Sequence, residues 1–318
     1  MRALPKVELH LHLEGAAPPD FVRRLAAEKG RDLSGLFRPD GSYAWSDFAD
    51  FLARYERACS VLQTPEDYRR LTEAVLARSA ADGVVYTEIF VAPDLLPDWA
   101  ECLAAIREGA AAVPGIELGL IAIAIRHFGT ERAEAAARLA ARGGVEGFGM
   151  AGEERHGTVA DYARAFAIAG DAGLGLTVHA GEMAGASSVR AALDALPVTR
   201  IGHGVRAAED PDLVRRLAGE GVVLEVCPGS NLALGLYPSL DRHPIAALRA
   251  AGVAVTVSTD DPPWWHTDMV AEYRGLAAAF GWTPADFRAI NATALAAAFC
   301  DAATRSRIRE RLEAACST

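Results

Sequence analysis

The chain alternates between short apolar runs and longer amphipathic ones eight times over, and few folds accommodate such a pattern. The short runs fall at residues 6–12, 83–92, 116–126, 145–152, 174–181, 200–204, 222–228 and 253–261. Several are apolar almost throughout, as in Leu118-Gly119-Leu120-Ile121-Ala122-Ile123 and Val253-Ala254-Val255-Thr256-Val257. Strands buried on both faces read this way, and they belong to parallel sheets covered by helices. Between them lie Ala/Arg/Glu/Leu-rich segments with helical spacing, for example 66–81, 131–142 and 161–172. Eight strand–helix alternations predict an α/β fold, a closed (β/α)8 TIM barrel. Two parts fall outside the repeat. Residues 18–63 follow the first strand with helical patterns instead of a short loop, and predict a cap over one end of the barrel. Extra C-terminal helices are predicted around 269–280, 285–299 and 304–315. With no linker or low-complexity tract in 318 residues, a single domain spanning 1–318 is expected.

Composition narrows the partners. The formal charge of -10 is spread along the chain, whereas nucleic acid and anionic membranes both select clustered Lys and Arg. Neither is expected as a partner. The cysteines (Cys59, Cys102, Cys227, Cys300 and Cys316) are scattered, odd in number and lack a C-x-x-C pair. They read as small buried or surface thiols of a reducing compartment, not as disulfides or a Cys-type zinc site. No run approaches the ~18 to 20 uninterrupted apolar residues that span a bilayer. Met1 to Lys6 lead straight into the first strand without a signal-peptide pattern, so a cytoplasmic protein is expected. The Asn291-Ala292-Thr293 glycosylation pattern is then read as chance.

Polar residues interrupt the apolar strands near their C-terminal ends, the catalytic face of such a barrel. In Val7-Glu8-Leu9-His10-Leu11-His12-Leu13-Glu14, alternation sends the apolar residues out to the helices and Glu8, His10, His12 and Glu14 inward. Two histidines at i and i+2 can converge on one ion, although His-x-His alone is weak evidence. The fifth strand ends in Val178-His179-Ala180-Gly181-Glu182, the sixth is Arg200-Ile201-Gly202-His203-Gly204, and the eighth ends in Ser258-Thr259-Asp260-Asp261. Taken singly, each such His or Asp is more often a satisfied core residue. Gathered on one rim, unpaired charges cost several kcal/mol each unless an ion or substrate compensates them. Imidazoles and a carboxylate are a ligand set that suits zinc. His127 reads as structural or as a hydrogen-bonding support for the site. His156, His243 and His266 are expected in loops, solvated or making local contacts, and Trp264 and Trp265 either wall the pocket or simply pack.

In order along the chain stand Lys6-Val7-Glu8-Leu9-His10-Leu11-His12-Leu13-Glu14-Gly15, Gly147-Phe148-Gly149-Met150-Ala151-Gly152-Glu153-Glu154, His179-Ala180-Gly181-Glu182, Arg200-Ile201-Gly202-His203-Gly204, Glu225-Val226-Cys227-Pro228 and Ser258-Thr259-Asp260-Asp261-Pro262. Nearly end to end, this set resembles the adenosine/adenine deaminase family of the amidohydrolase superfamily. The resemblance implies one zinc ion per chain held by His10, His12, His179 and Asp260, with a position open to water. It implies that Glu182 protonates purine N1, that His203 deprotonates and orients the water, and that Asp261 is the water's hydrogen-bonding partner. His12, Glu14, Gly152 and Asp261 would face the substrate, under an apolar lid of Phe48, Phe51, Leu52 and Tyr55.

The chemistry agrees with this assignment. C6 of an aminopurine is a poor electrophile, so attack needs both an activated water and a carboxyl group kept protonated by burial. Binuclear amidohydrolases bridge their metals through a carboxylated lysine on the fourth strand, but the only lysines here are Lys6 and Lys29. The cytidine-type zinc deaminases need P-C-x-x-C, which is absent. The expected substrate is adenosine, converted to inosine and ammonia, with adenine or another 6-aminopurine nucleoside as the alternative. Gly149 to Glu154 read nearer the adenosine branch; Glu14, where nucleoside deaminases commonly carry Asp, reads nearer the adenine branch. Nucleotides are disfavoured because the first strand and lid carry no Arg/Lys cluster for a phosphate. A catalytically dead purine sensor is disfavoured by the intact ligand and acid/base set.

Overall fold

The computed structural model describes residues 1–314. Its strands are β1 (Lys6–His12), β2 (Val84–Val91), β3 (Glu117–Ile125), β4 (Gly147–Ala151), β5 (Gly175–Ala180), β6 (Arg200–His203), β7 (Val223–Val226) and β8 (Ala254–Val257). They pair in sequence order and all in parallel, the (β/α)8 barrel that the alternation predicts. The seam between β8 and β1 is thinly bonded. Leu11 bridges Asp260, the His12 N–H donates to the Asp260 carbonyl (3.0 Å), and the Asp260 N–H donates to the His10 carbonyl (3.1 Å). Deeper in the barrel, side chains replace the ladder. Ser258 Oγ accepts from the Leu9 N–H (3.3 Å), and Glu8 Oε1 accepts from the Thr259 N–H (3.0 Å) and hydroxyl (2.6 Å).

The observed strands stop short of several predicted runs at their C-terminal ends. The run 253–261 leaves the ladder after Val257, and 222–228 leaves it after Val226. His203 (φ 58°) and Asp260 (φ 65°) adopt left-handed backbone, rare for residues with a side chain and frequent at functional sites.

After β1 the chain forms α1 (Pro19–Glu28), α2 (Phe48–Cys59) and α3 (Pro65–Ala81). Asp47 caps α2 by accepting from the Asp50 N–H, and Thr64 with Asp67 closes a capping box ahead of Pro65 on α3. The C-terminal helices are Met269–Phe280, Pro284–Ala297 and Ala302–Ala314; Ala315, the last residue of the predicted helix, and Cys316 lie outside the described residues. The other four cysteines are free and buried. Among the described residues no helix is long and apolar enough to cross a membrane.

Alternation on β1 works out as expected. Val7 and Leu9 pack outward against Ala294 and Leu295, and Leu11 and Leu13 join the main core. Asn291 is buried and accepts from the Val7 N–H, so its glycosylation pattern lies inside the core. The barrel floor is polar. Arg200, 1% exposed, donates to Glu88 Oε2 (2.6 Å) and Glu225 Oε1 (2.5 Å), and its guanidinium lies 3.7 Å from the Phe299 ring centroid. This buried ion network ends in a carboxylate aimed up at the histidines.

Candidate active site

Glu225 starts the site from below. Its Oε2 accepts from His10 Nδ1 (2.8 Å), which leaves the His10 Nε2 lone pair facing the barrel mouth. That nitrogen has no hydrogen-bond partner among the described residues, and it lies 3.4 Å from Asp260 Oδ1. His12 Nε2 is 3.3 Å from the same oxygen and 3.3 Å from His179 Nε2. Asp260 Oδ2 is already engaged, accepting from Ser230 Oγ (2.8 Å) and the Trp265 indole N–H (3.1 Å). Three imidazole nitrogens therefore converge on one carboxylate oxygen, and a cation at their centre would satisfy all of them. Burial pushes the His10 imidazole down, but Asp260 and Glu225 outweigh it and lift it to about 9. Burial holds His12 and His179 neutral, the form that binds metal. The donor set fits a zinc ion.

His203 is a rival for the fourth position, because His10, His179, His203 and Asp260 each offer an atom within 4.8 Å of the others. Its neighbours decide between it and His12. The Ile245 backbone N–H, which can only donate, points at His243 Nδ1 (3.2 Å). His243 Nε2–H must then donate to Asn231 Oδ1 (3.1 Å), and the Asn231 amide donates to His203 Nδ1 (3.3 Å). With Nδ1 accepting, neutral His203 carries its proton on Nε2. A protonated nitrogen cannot ligate metal, so His12 is the better fourth donor. This chain also decides one open reading: His243 is not solvated but 3% exposed, held inside by Asn231 and the Ile245 N–H. His156 and His266 are exposed, as expected.

Around this cluster lies a cavity at the C-terminal end of the barrel. It is lined by His12, Glu14, Gly152, His179, Glu182, His203, Asp260 and Asp261, and by Phe48, Phe51, Leu52, Tyr55 and Trp265 from above. Every site residue read from the sequence borders it except His10, which sits fully buried beneath. Burial, with Asp260 and then Glu154 adding negative charge, raises the Glu182 carboxyl well above the usual range. Its Oε1 lies 3.4 Å from His203 Nε2. Asp261 is raised well above its usual value by burial and by Asp260, and its Oδ1 has no hydrogen-bond partner among the described residues. Gly15 must be glycine, since a Cβ there would overlap the Asp261 carboxylate. Gly152 (φ +100°) turns its backbone toward the cavity, and a Cβ would meet His127 Nδ1 at 2.8 Å.

The two tryptophans divide. Trp265 walls the cavity and bonds Asp260, while Trp264 stacks on Tyr43 at 4.0 Å. His127 also borders the cavity, accepting from the Glu153 N–H (3.3 Å) with Nε2 3.3 Å from Glu56 Oε1. Sequence reasoning did not single out Glu56, Glu154, Ser230 or Asn231. Ser230 and Asn231 follow the end of β7, so the strand-end rule that found the histidines could have found them.

The family model described as adenosine deaminase matches residues 5–315. The chain belongs to the adenosine deaminase family. It is 52% identical to an adenine deaminase of Rhizobium leguminosarum bv. trifolii, over 97% of this chain and 99% of that one. A crystal structure of adenine deaminase from Arthrobacter aurescens superposes with a TM-score of 0.91 at 30% identity, covering 99% of each chain. An amidohydrolase from Burkhoderia ambifaria, solved with bound Zn, superposes with a TM-score of 0.88 at 28% identity over 99% of this chain and 92% of that one. This member of the family is a hydrolase acting on a C–N bond of a cyclic amidine, and it deaminates a purine.

Proposed function

We propose that this protein deaminates free adenine to hypoxanthine and ammonia. The observation that carries the reading is full-length identity of about half to proteins named adenine deaminase. It favours the alternative over adenosine, the substrate first expected. Glu14 supports a physical account. It is 4% exposed, its Oε1 has no hydrogen-bond partner among the described residues, and it borders the cavity beside Tyr55. Being one methylene longer than Asp, it fills space that a ribose on N9 needs. For a free base it offers an acceptor to the imidazole N–H.

His10, His12, His179 and Asp260 would hold zinc, whose Lewis acidity lowers the pKa of water towards ~7. The protein groups do the rest. Glu182, kept protonated by burial, gives its proton to N1 and makes C6 electrophilic. The His203 Nε2–H donates to the attacking oxygen and orients it, while Asp261 Oδ1 accepts from it; the Asp260 charge that raises Asp261 would be offset by a bound metal, leaving Asp261 free to ionise. The tautomer supports orientation by His203 and favours Asp261, not His203, as proton acceptor. The C6–O bond forms, Asp261 passes the water's proton to N6, the C6–N6 bond breaks and ammonia leaves, and the remaining hydroxyl proton returns to Glu182, under the apolar lid that excludes bulk water.

The test is kcat/KM for adenine and adenosine on the wild type and Glu14→Ala. Wild type should favour adenine. Glu14→Ala should lose about 10-fold on adenine, of the order expected for a hydrogen bond to a charged group, and improve on adenosine relative to adenine. A wild-type ratio favouring adenosine would sink the reading.

A further inference from the structure

Glu154 is a buried carboxylate with more donors than a structural cap requires. Its Oε1 accepts from the Gly181 N–H (2.5 Å) and Ser188 Oγ (2.5 Å), and its Oε2 from the Glu182 N–H (3.1 Å) and Ala184 N–H (2.8 Å). Three of these donors are consecutive or near-consecutive amides of the loop that carries Glu182, and one is the amide of Glu182 itself. From the opposite side, Arg206 holds the same loop by its carbonyls: its N–H donates to Gly181 O (3.0 Å) and its guanidinium to Met183 O (3.3 Å). The loop is therefore gripped by its amides from the segment after β4 and by its carbonyls from the segment after β6. Glu154 stands two residues after Gly152, which borders the purine cavity. One short segment thus links the wall of the base pocket to the backbone of the acid.

We propose that Glu154 is a positioning residue that sets the location of the Glu182 carboxyl relative to the bound base, and so controls turnover. The proposal rests on the reading of Glu182 as the acid. The plainer role is a cap: Ser188 lies in the first turn of the helix Ala186–Ala195, and a carboxylate at a helix N-terminus stabilises it. The two roles differ in what a neutral isostere does. In Glu154→Gln the amide has one acceptor oxygen for two sets of donors. If its oxygen takes the place of Oε1, the NH2 faces the Glu182 and Ala184 amides. If the oxygen takes the place of Oε2, the NH2 faces the Gly181 amide. Either orientation sets donor against donor, so the loop must shift. A cap would lose stability; a positioning residue loses kcat as well.

The experiment measures kcat, KM and zinc content for Glu154→Gln, alone and in a Glu182→Gln background. With Glu182 intact, kcat should fall about 10 to 100-fold, within the range that a misplaced general acid costs. KM should stay within about threefold and zinc near one per chain. In the Glu182→Gln background the second substitution should change the residual kcat by less than about twofold, because the two act through one group. A kcat within threefold of wild type for Glu154→Gln overturns the proposal, and so does an equal fractional loss in both backgrounds. Wild-type turnover in Glu182→Gln alone would instead overturn the acid assignment. If Glu154→Gln does not fold, Ser188→Ala takes its place. Removing that donor should lower kcat about threefold or more at unchanged KM, and an unchanged kcat counts against the positioning role.

Discussion

The Asn231 amide determines what His203 can be. Because a backbone N–H starts the chain through His243 and Asn231, the proton of neutral His203 sits on Nε2, which supports the proposal that this ring orients the nucleophile instead of binding metal. His12, whose Nε2 is 3.3 Å from both Asp260 Oδ1 and His179 Nε2, is the ligand we propose in its place. His12→Ala should therefore lose zinc and turnover together. His203→Ala should keep close to one zinc per chain while kcat falls by ~10^2 to 10^4-fold. Metal analysis of both variants after identical dialysis checks this; zinc lost from His203→Ala and kept by His12→Ala reverses the roles. Glu182 makes a prediction in pH. Burial raises its carboxyl well above the usual range, and the reaction needs the protonated form. The rate should thus be lost as pH rises through that lifted value, and Glu182→Gln should lack this alkaline limb. These side chains were legible in the sequence because several His and Asp residues gather on one strand-end rim, where unpaired charges are costly. Their division of labour was not, since it depends on which ring nitrogen is engaged from 12 and 28 residues away in sequence.

The eight strands were legible for a related reason: burial on both faces leaves little but apolar residues. Their C-terminal ends were overrun because Ser258 to Asp261 continue the run in sequence but turn off the ladder to serve the site. The cap after β1 was legible as helical pattern, and its lid residues through the family resemblance, but what holds the lid to the barrel became clear only from the aromatic cluster. Phe51 on α2 packs against Trp265 at 4.6 Å and Trp264 at 5.2 Å between centroids. Trp265 in turn donates to Asp260, so the lid rests on a residue that orients a ligand. Leu52, partly buried on the cavity side of α2, stands outside this chain of ring contacts, which Phe48 joins through Phe51 at 6.0 Å. Leu52→Ala should therefore act on binding alone. Losing part of the ~1.5 to 3 kcal/mol of a buried Leu should raise the adenine KM about 3 to 10-fold with kcat within about twofold. A fall in kcat at constant KM would show that the lid takes part in the chemical step.

At the scale of the whole barrel, the metal cluster and the weakest seam coincide. Between β2 and β3 the ladder runs unbroken from Tyr86 opposite Glu117 to Val91 opposite Ala122. Between β8 and β1 the backbone contributes a single bridge, Leu11 to Asp260, made of two hydrogen bonds that join Asp260 to His10 and His12. These last three are the residues proposed to hold zinc from the two sides of the seam, with His179 on β5 reaching across from the far wall. An ion there does what the missing ladder does elsewhere, and its binding free energy becomes stability of the closed barrel. Removing it leaves Asp260 and Glu225 as buried charges with only His10 and Arg200 to offset them, so the cost should concentrate where the backbone has least to hold it. Chelation followed by hydrogen exchange should therefore speed the His12 and Asp260 amides by about tenfold or more, equivalent to ~1.4 kcal/mol of local stability. Amides of the β2–β3 ladder should change little, and adding zinc back should restore protection. Equal acceleration in every strand would mean that the ion stabilises the barrel globally. No change at the seam, with zinc verified as removed, would mean that the side-chain bonds of Glu8 and Ser258 already suffice to close it.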